Sequence, residues 1–227
     1  MKITEDTLTI LQNFATINPN IVVEDGTKKL KTVSEAKNIM ATAEIEDNID
    51  ASFGLYDLNE FLSAINLIDD PVFEFNSDKI KVNNAKNKQG LTYFCANPEI
   101  LTHPKKDISD PEYDVTFTFS NSDIAAIRKA ASVLGFDTVS LKKEKDESTI
   151  WAEVSDPFNK SSNAYRLDVG SVDGDASFSF DFLIANLKIV PGDYTVSLSS
   201  MLISKWASED NAVSYWVALE KTSNYNN

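Results

Sequence analysis

The chain has 227 residues, 42% hydrophobic and 25% charged, enough apolar material for one large or two small cores and too much for a disordered chain. Lys and Arg number 21 against 35 Asp and Glu, a formal net charge of −14. That excludes a protein that grips nucleic acid through an overall basic surface, although one locally basic face stays compatible with it. A single cysteine, Cys95, excludes an internal disulfide and suits a reducing compartment.

The N-terminal run Met1-Lys2-Ile3-Thr4-Glu5-Asp6 lacks the basic-then-apolar pattern of a signal peptide. No run approaches the roughly 20 apolar residues of a spanning helix, so a soluble intracellular protein is expected. In chain order, the first element is a helix over 4–17, with Leu8, Leu11 and Phe14 at near-helical spacing and Thr4 as its cap. Short strands follow at 21–23 and 40–45. A second helix over 57–67 is capped by Asp57 and has Leu58, Phe61, Leu62 and Ile65 on one face. Strands are expected at 72–75, 79–82 and 91–95. Residues 97–112, carrying Pro98, Pro104 and Pro111, read as an extended connector, because proline resists both helix and central strand.

Beyond the connector, 113–119 alternates as a strand. A third helix over 121–134 starts at Ser120, with Asp123 at capping-box spacing, and stops at Gly135. Strands are expected at 138–141, 150–154 and 165–169. A fourth helix is expected over 181–189, ended by Pro191-Gly192, with alternating strands at 194–198 and 213–219. Many short strands with few helices give an α+β class of mainly antiparallel sheet. Asp50-Ala51-Ser52-Phe53 recurs as Asp175-Ala176-Ser177-Phe178, each copy leading toward a short helix, a turn and a strand. The chain therefore reads as two similar domains, 1–96 and 113–227, joined by the connector 97–112.

Catalytic patterns are missing. His103 lies in the connector, eight residues after Cys95, and a buried thiol beside a loop histidine outweighs a Cys–His pair. The seven glycines form no phosphate-binding loop. Structural zinc needs about four His or Cys ligands. Asp173-Gly174-Asp175 lacks the other ligands of a calcium loop and reads as a solvated turn. No enzymatic activity, no cofactor and no metal are expected.

Several motifs carry a resemblance. Leu11 through Asn18 (LQNFATIN), Tyr56 through Leu62 (YDLNEFL), Phe178-Ser179-Phe180, Ala185-Asn186-Leu187-Lys188, Pro191-Gly192-Asp193-Tyr194 and Trp216 through Glu220 (WVALE) resemble the sliding clamps of T-even-type bacteriophages. The likeness runs from end to end, and 28–38 and 143–163 match poorly. It implies a DNA-clamp fold of two similar domains with two helices each, closed as a homotrimeric ring with the helices lining the hole. It also implies double-stranded DNA threaded without sequence preference, a DNA polymerase tethered through a short peptide, loading by a clamp-loader ATPase, and support of late viral transcription. The expected place is the cytoplasm of the infected bacterium.

On that reading Lys2, Arg128, Lys129 and Lys188 face DNA. Helix two has no Lys or Arg and helix one carries Glu5 and Asp6, so the first half of the lining is nearly neutral, with Gln12, Asn13, Asn59 and Asn66. Partner peptides would dock near Leu101, Tyr113, Val217 and Leu219. The competing reading is a non-catalytic structural or interaction protein of a phage particle, which has no need of basic residues on matched helices.

Overall fold

The computed structural model describes residues 1–84, 86, 89–159, 161–210 and 212–226. Two compact units divide the chain, Met1–Asp107 and Ile108–Asn227. In the first, α1 (Glu5–Ile17) starts where Thr4 Oγ1 accepts from Thr7 N, and it buries Ile10, Leu11, Phe14 and Ile17 on one face. Asp47 braces that start, accepting from Thr4 N at 3.0 Å and Thr4 Oγ1 at 2.8 Å. Strands β1 (Ile21–Val23), β2 (Lys29–Val33), β3 (Ile39–Glu44) and β4 (Phe53–Leu55) follow. β1 pairs antiparallel with β4, and β2 with β3.

Helix α2 (Leu58–Ile65) begins at Asp57, whose Oδ1 accepts from Glu60 N at 3.1 Å, and buries Leu58, Phe61, Leu62 and Ile65. An antiparallel sheet of β5 (Val72–Phe75), β6 (Lys79–Asn84) and β7 (Gln89–Phe94) completes the unit. Met1 lies along β5, exchanging two backbone hydrogen bonds with Phe73 at 2.6 and 2.7 Å. Stacked Phe53, Phe75 and Phe73 tie β4 to this sheet at centroid distances of 5.3 and 5.7 Å.

The second unit repeats the plan. β8 (Val115–Phe119) leads into α3 (Asn121–Leu134), which Ser120 caps and Gly135 closes at φ 73°, a conformation glycine adopts without penalty. Strands β9 (Thr138–Lys143), β10 (Thr149–Val154), β11 (Tyr165–Ser171) and β12 (Ser177–Leu183) come next. After a 3₁₀ turn at Ile184–Asn186 come β13 (Tyr194–Ser199), β14 (Ile203–Ser208), β15 (Val213–Ala218) and β16 (Asn224–Asn226). β9 pairs with β12 as β1 does with β4, and β13, β14 and β15 pair in sequence as β5, β6 and β7 do. β8 pairs with β13 where Met1 pairs with β5.

Trp206, fully buried, centres this core among Phe119, Phe182 and Tyr194, at ring distances of 5.5 to 6.2 Å. Each unit closes alike. The segment after β7 returns to β4 through a bridge between Ala96 and Gly54, and β16 returns to β12.

One expectation is corrected. The fourth helix over 181–189 is strand up to Leu183 and then a single 3₁₀ turn, so the described residues hold three α-helices rather than two per unit. The run Ser177-Phe178-Ser179-Phe180 alternates at the strand period, and pairing with β9 and β16 captures it. Asp181 caps no helix. It is buried, and its carboxylate accepts from Thr222 Oγ1 at 2.5 Å and Ser179 Oγ at 3.0 Å.

Candidate DNA-facing surface and partner-docking residues

Neither α1 nor α2 carries a Lys or Arg. Their exposed positions include Glu5, Asp6, Thr9, Gln12 and Thr16 on α1, and Asn59, Glu60 and Ser63 on α2 with Asn66 just after it. Lys2 is exposed just before α1, but its ammonium donates to Asp70, and that pairing holds the Asp70 carboxyl below its usual range.

The second unit gathers its cations. Arg128, half-buried on α3, donates from Nη2 to the carbonyl of Leu187. Burial draws the guanidinium's pKa down, and it remains charged at neutral pH because arginine starts so high. Lys188, exposed, is the next residue after Leu187, and Lys129, exposed, follows Arg128. The Arg128 bond thus ties α3 to the segment that carries Lys188, some sixty positions away in sequence. Lys129 also rims a cleft of about 470 Å³ walled by Ala126, Ala130, Val133, Leu134 and Tyr165.

The residues expected to receive a peptide lie deeper. Leu101 is buried and rests on Gly54, where an added Cβ would stand 2.6 Å from Leu101 Cδ1. Val217 and Leu219 are buried in the second unit, with the Val217 carbonyl accepting from Ser204 Oγ at 2.9 Å. Tyr113 alone is half-exposed, and its hydroxyl donates to Asp110 at 3.0 Å. Sequence reasoning missed Asp110 and its other two donors, Lys205 and Trp216. A signal existed for Trp216, which alternates with the inward Tyr215 and Val217 and so must point to the other face of β15.

Residues with reactive potential are engaged elsewhere. Burial first, then the nearby Asp78 charge, pushes the Cys95 thiol up to about 11, so it is almost wholly protonated at neutral pH. His103 sets Nδ1 3.1 Å from the carbonyl of Leu101. At the Asp173–Asp175 turn, the carbonyls of Gly174 and Ala176 each accept from the buried Lys143 ammonium at 2.7 Å. Among the described residues, no three His, Cys, Asp or Glu side chains come together as a metal would require. No helix among them is long and apolar enough to cross a membrane.

Comparison with known proteins follows this geometry. A family model described as DNA polymerase processivity factor matches residues 4–94, and one described as gp45 sliding clamp, C terminal, matches residues 116–221. The sliding clamp of Vibrio phage KVP40 is 31% identical over 223 residues, covering 97% of this chain and 99% of its own. Those of Escherichia phage RB69 and Enterobacteria phage T4 are 30% and 28% identical, each over 99% of both chains. Solved structures with the same fold include the proliferating cellular nuclear antigen of Entamoeba histolytica, at TM-score 0.67 and 11% identity over 94% of both chains. A PCNA2–PCNA3 complex from Sulfolobus tokodaii matches at TM-score 0.68 and 11% identity, over 94% of this chain and 95% of that one.

Proposed function

The chain belongs to the sliding-clamp family of T4-like phages, and from that premise we propose that three copies close head to tail into a ring around duplex DNA and tether a DNA polymerase to it. A sliding clamp is a processivity factor, not a catalyst. The observation that supports the ring is the repeated plan, in which β1–β4 and β5–β6–β7 pair in Met1–Asp107 as β9–β12 and β13–β14–β15 do in Ile108–Asn227. A chain built from two copies of one unit has two kinds of end, and joining unlike ends generates a closed ring when the rotation fits.

The free edges support this. β7 and β11 each stand at the end of their sheets. Pairing β7 of one copy with β11 of the next would cover both rows of backbone donors and acceptors, which otherwise invite uncontrolled association. In this reading 1–96 and 113–227 are the repeats and 97–112 is the connector between them.

Topology explains the charge. A ring retains DNA without strong direct affinity, so a net charge of −14 is compatible with the task. Lys129, Lys188 and Arg128 supply the phosphate contacts, while Lys2 is partly spent on Asp70 and the exposed positions of α1 and α2 carry amides, hydroxyls and the acidic Glu5, Asp6 and Glu60. Tethering then multiplies the local concentration of polymerase at the primer end. A clamp-loader ATPase would open and place the ring, late transcription would use the same tether, and the work would proceed in the cytoplasm of the infected cell. The residues around Leu101, Tyr113, Val217 and Leu219 would receive the partner's peptide.

Light scattering over a wide concentration range tests assembly. Three chains per particle are expected, and a monomer throughout would overturn the ring. Retention on closed circular DNA, with loss once the circle is cut, tests encirclement.

A further inference from the structure

Lys205 of β14 and Trp216 of β15 are directly opposite in the antiparallel register. Both point away from the face that buries Trp206 and Tyr215. The Lys205 ammonium stands 5.2 Å from the centre of the Trp216 ring. Against this pair lies one carboxylate, that of Asp110. Its Oδ2 accepts from Lys205 Nζ at 2.5 Å, and its Oδ1 accepts from Trp216 Nε1 at 2.7 Å and from Tyr113 Oη at 3.0 Å. Burial alone would raise the Asp110 pKa, but these three donors outweigh it and hold the group ionised.

The two sides of this contact differ in kind. Lys205 and Trp216 sit on neighbouring strands whose register fixes their spacing. Asp110 comes from a stretch without regular secondary structure, followed by Pro111. Fixed donors facing an acceptor on an irregular segment have the form of a receptor holding a ligand. The Tyr113 phenol comes from the same irregular segment as Asp110, and together with the indole and the cation on the sheet it has the composition of an interaction hot spot.

We propose that Lys205, Trp216 and Tyr113 form a carboxylate seat for an acidic peptide segment of a protein partner, and that Asp110 is its resident occupant, which such a peptide displaces. The proposal rests on the reading that partners tether through short peptides, and adds the chemistry they must carry, a carboxylate able to take the place of Asp110. The charge of the seat argues for that occupant: a single ammonium with two neutral donors already satisfies one carboxylate. Occupation by Asp110 lowers a partner's apparent affinity by the fraction of time that the seat is filled.

The chain has three tryptophans, hence three indole N–H resonances in the nitrogen-15-labelled full-length protein. Acetate is the probe, titrated against sodium chloride at matched ionic strength. In Asp110→Ala, the Trp216 resonance should shift and saturate. It should not move in the wild type, where the seat is filled, or in Asp110→Ala/Lys205→Met, where it has lost its cation. An unmoved Trp216 resonance in Asp110→Ala, with the Trp206 resonance at its wild-type position, overturns the seat.

If Asp110→Ala does not fold, Asp110→Asn and Lys205→Met decide the matter through affinity for the cognate DNA polymerase. Asp110→Asn should tighten it by roughly tenfold and Lys205→Met weaken it by a similar factor, the scale of one partly exposed charge-assisted hydrogen bond. Weakening by both variants would mean that Asp110 is only a brace, and overturns the proposal. A wild-type chain that binds no polymerase would refute the tethering function instead, and the acetate titration would still judge the seat.

Discussion

Replacing Gly54 with alanine drives a methyl group into the contact that closes the first unit. The new Cβ would lie 2.6 Å from Leu101 Cδ1 and 3.0 Å from the Ala96 carbonyl oxygen, where unstrained carbon contacts begin near ~3.5 Å. The Leu101 methyl can turn aside. The Ala96 carbonyl cannot do so cheaply, because it is backbone and the same residue's amide donates to Gly54 O at 2.8 Å. Overpacking of this kind costs about 1–3 kcal/mol, and loss of the bridging hydrogen bond adds about 1 kcal/mol. The smaller conformational freedom of alanine in the unfolded chain returns about 0.4–1 kcal/mol. The net is a loss of about 2 kcal/mol, local to the contact between β4 and residues 96–101. Amide hydrogen exchange at Ala96 should accelerate by roughly thirtyfold if exchange proceeds through local opening. Truncating Leu101 to alanine in the Gly54→Ala background should cost about 1 kcal/mol less than in the wild type, because the neighbour it removes is the one under pressure. Unchanged protection at Ala96, together with strict additivity of the two substitutions, would refute this account of how the segment is held.

Charge reversal of Lys129 and Lys188 together, which spares the Arg128 bond to Leu187, should impair loading onto DNA by the cognate loader while the native mass stays that of the wild type; unaltered loading would remove these residues from the DNA-facing surface. Asp47, Asp107 and Asp110 have folded-state pKa values held below the ordinary value of about 3.9. For Asp47 the Thr7 and Thr4 donors outweigh burial, and for Asp107 the Lys31 and Lys29 ammonium groups do the work. Depressed carboxylate values mean stabilisation that is complete above the unfolded value and lost as pH falls through the folded ones. The start of α1 should therefore keep its exchange protection down to about pH 5 and lose it below about pH 4, whereas a loss between pH 6 and 7 would point to another group. Cys95, raised to about 11, should react with iodoacetamide far more slowly in the native chain than in urea at pH 8, and equal rates would contradict its environment.

What the sequence discloses here is mostly local. Thr4, Asp57 and Ser120 cap helices because a short oxygen-bearing side chain satisfies an amide two or three residues on, and Gly135 ends α3 because its φ of 73° suits glycine. None of that needs a distant partner. The stretch 181–189 was illegible for the opposite reason. Phe180 and Phe182 fit either period, and pairing with β9 decides the outcome from forty residues away. Arg128 and Lys188 were legible as cations, but the Leu187 carbonyl that makes Arg128 a brace as well as a charge belongs to the folded chain. The Asp110 seat was hidden altogether, since it depends on one strand register and on a loop about a hundred positions away in sequence.

All three tryptophans, Trp151, Trp206 and Trp216, lie in Ile108–Asn227, and none lies in Met1–Asp107. Indole emission therefore observes only half of the molecule. A chain whose first unit has melted and whose second is intact would glow as the native protein does, while its far-ultraviolet dichroism would already have fallen. Denaturation curves from the two signals should separate whenever the units differ in stability, and a single midpoint from fluorescence describes the second unit alone.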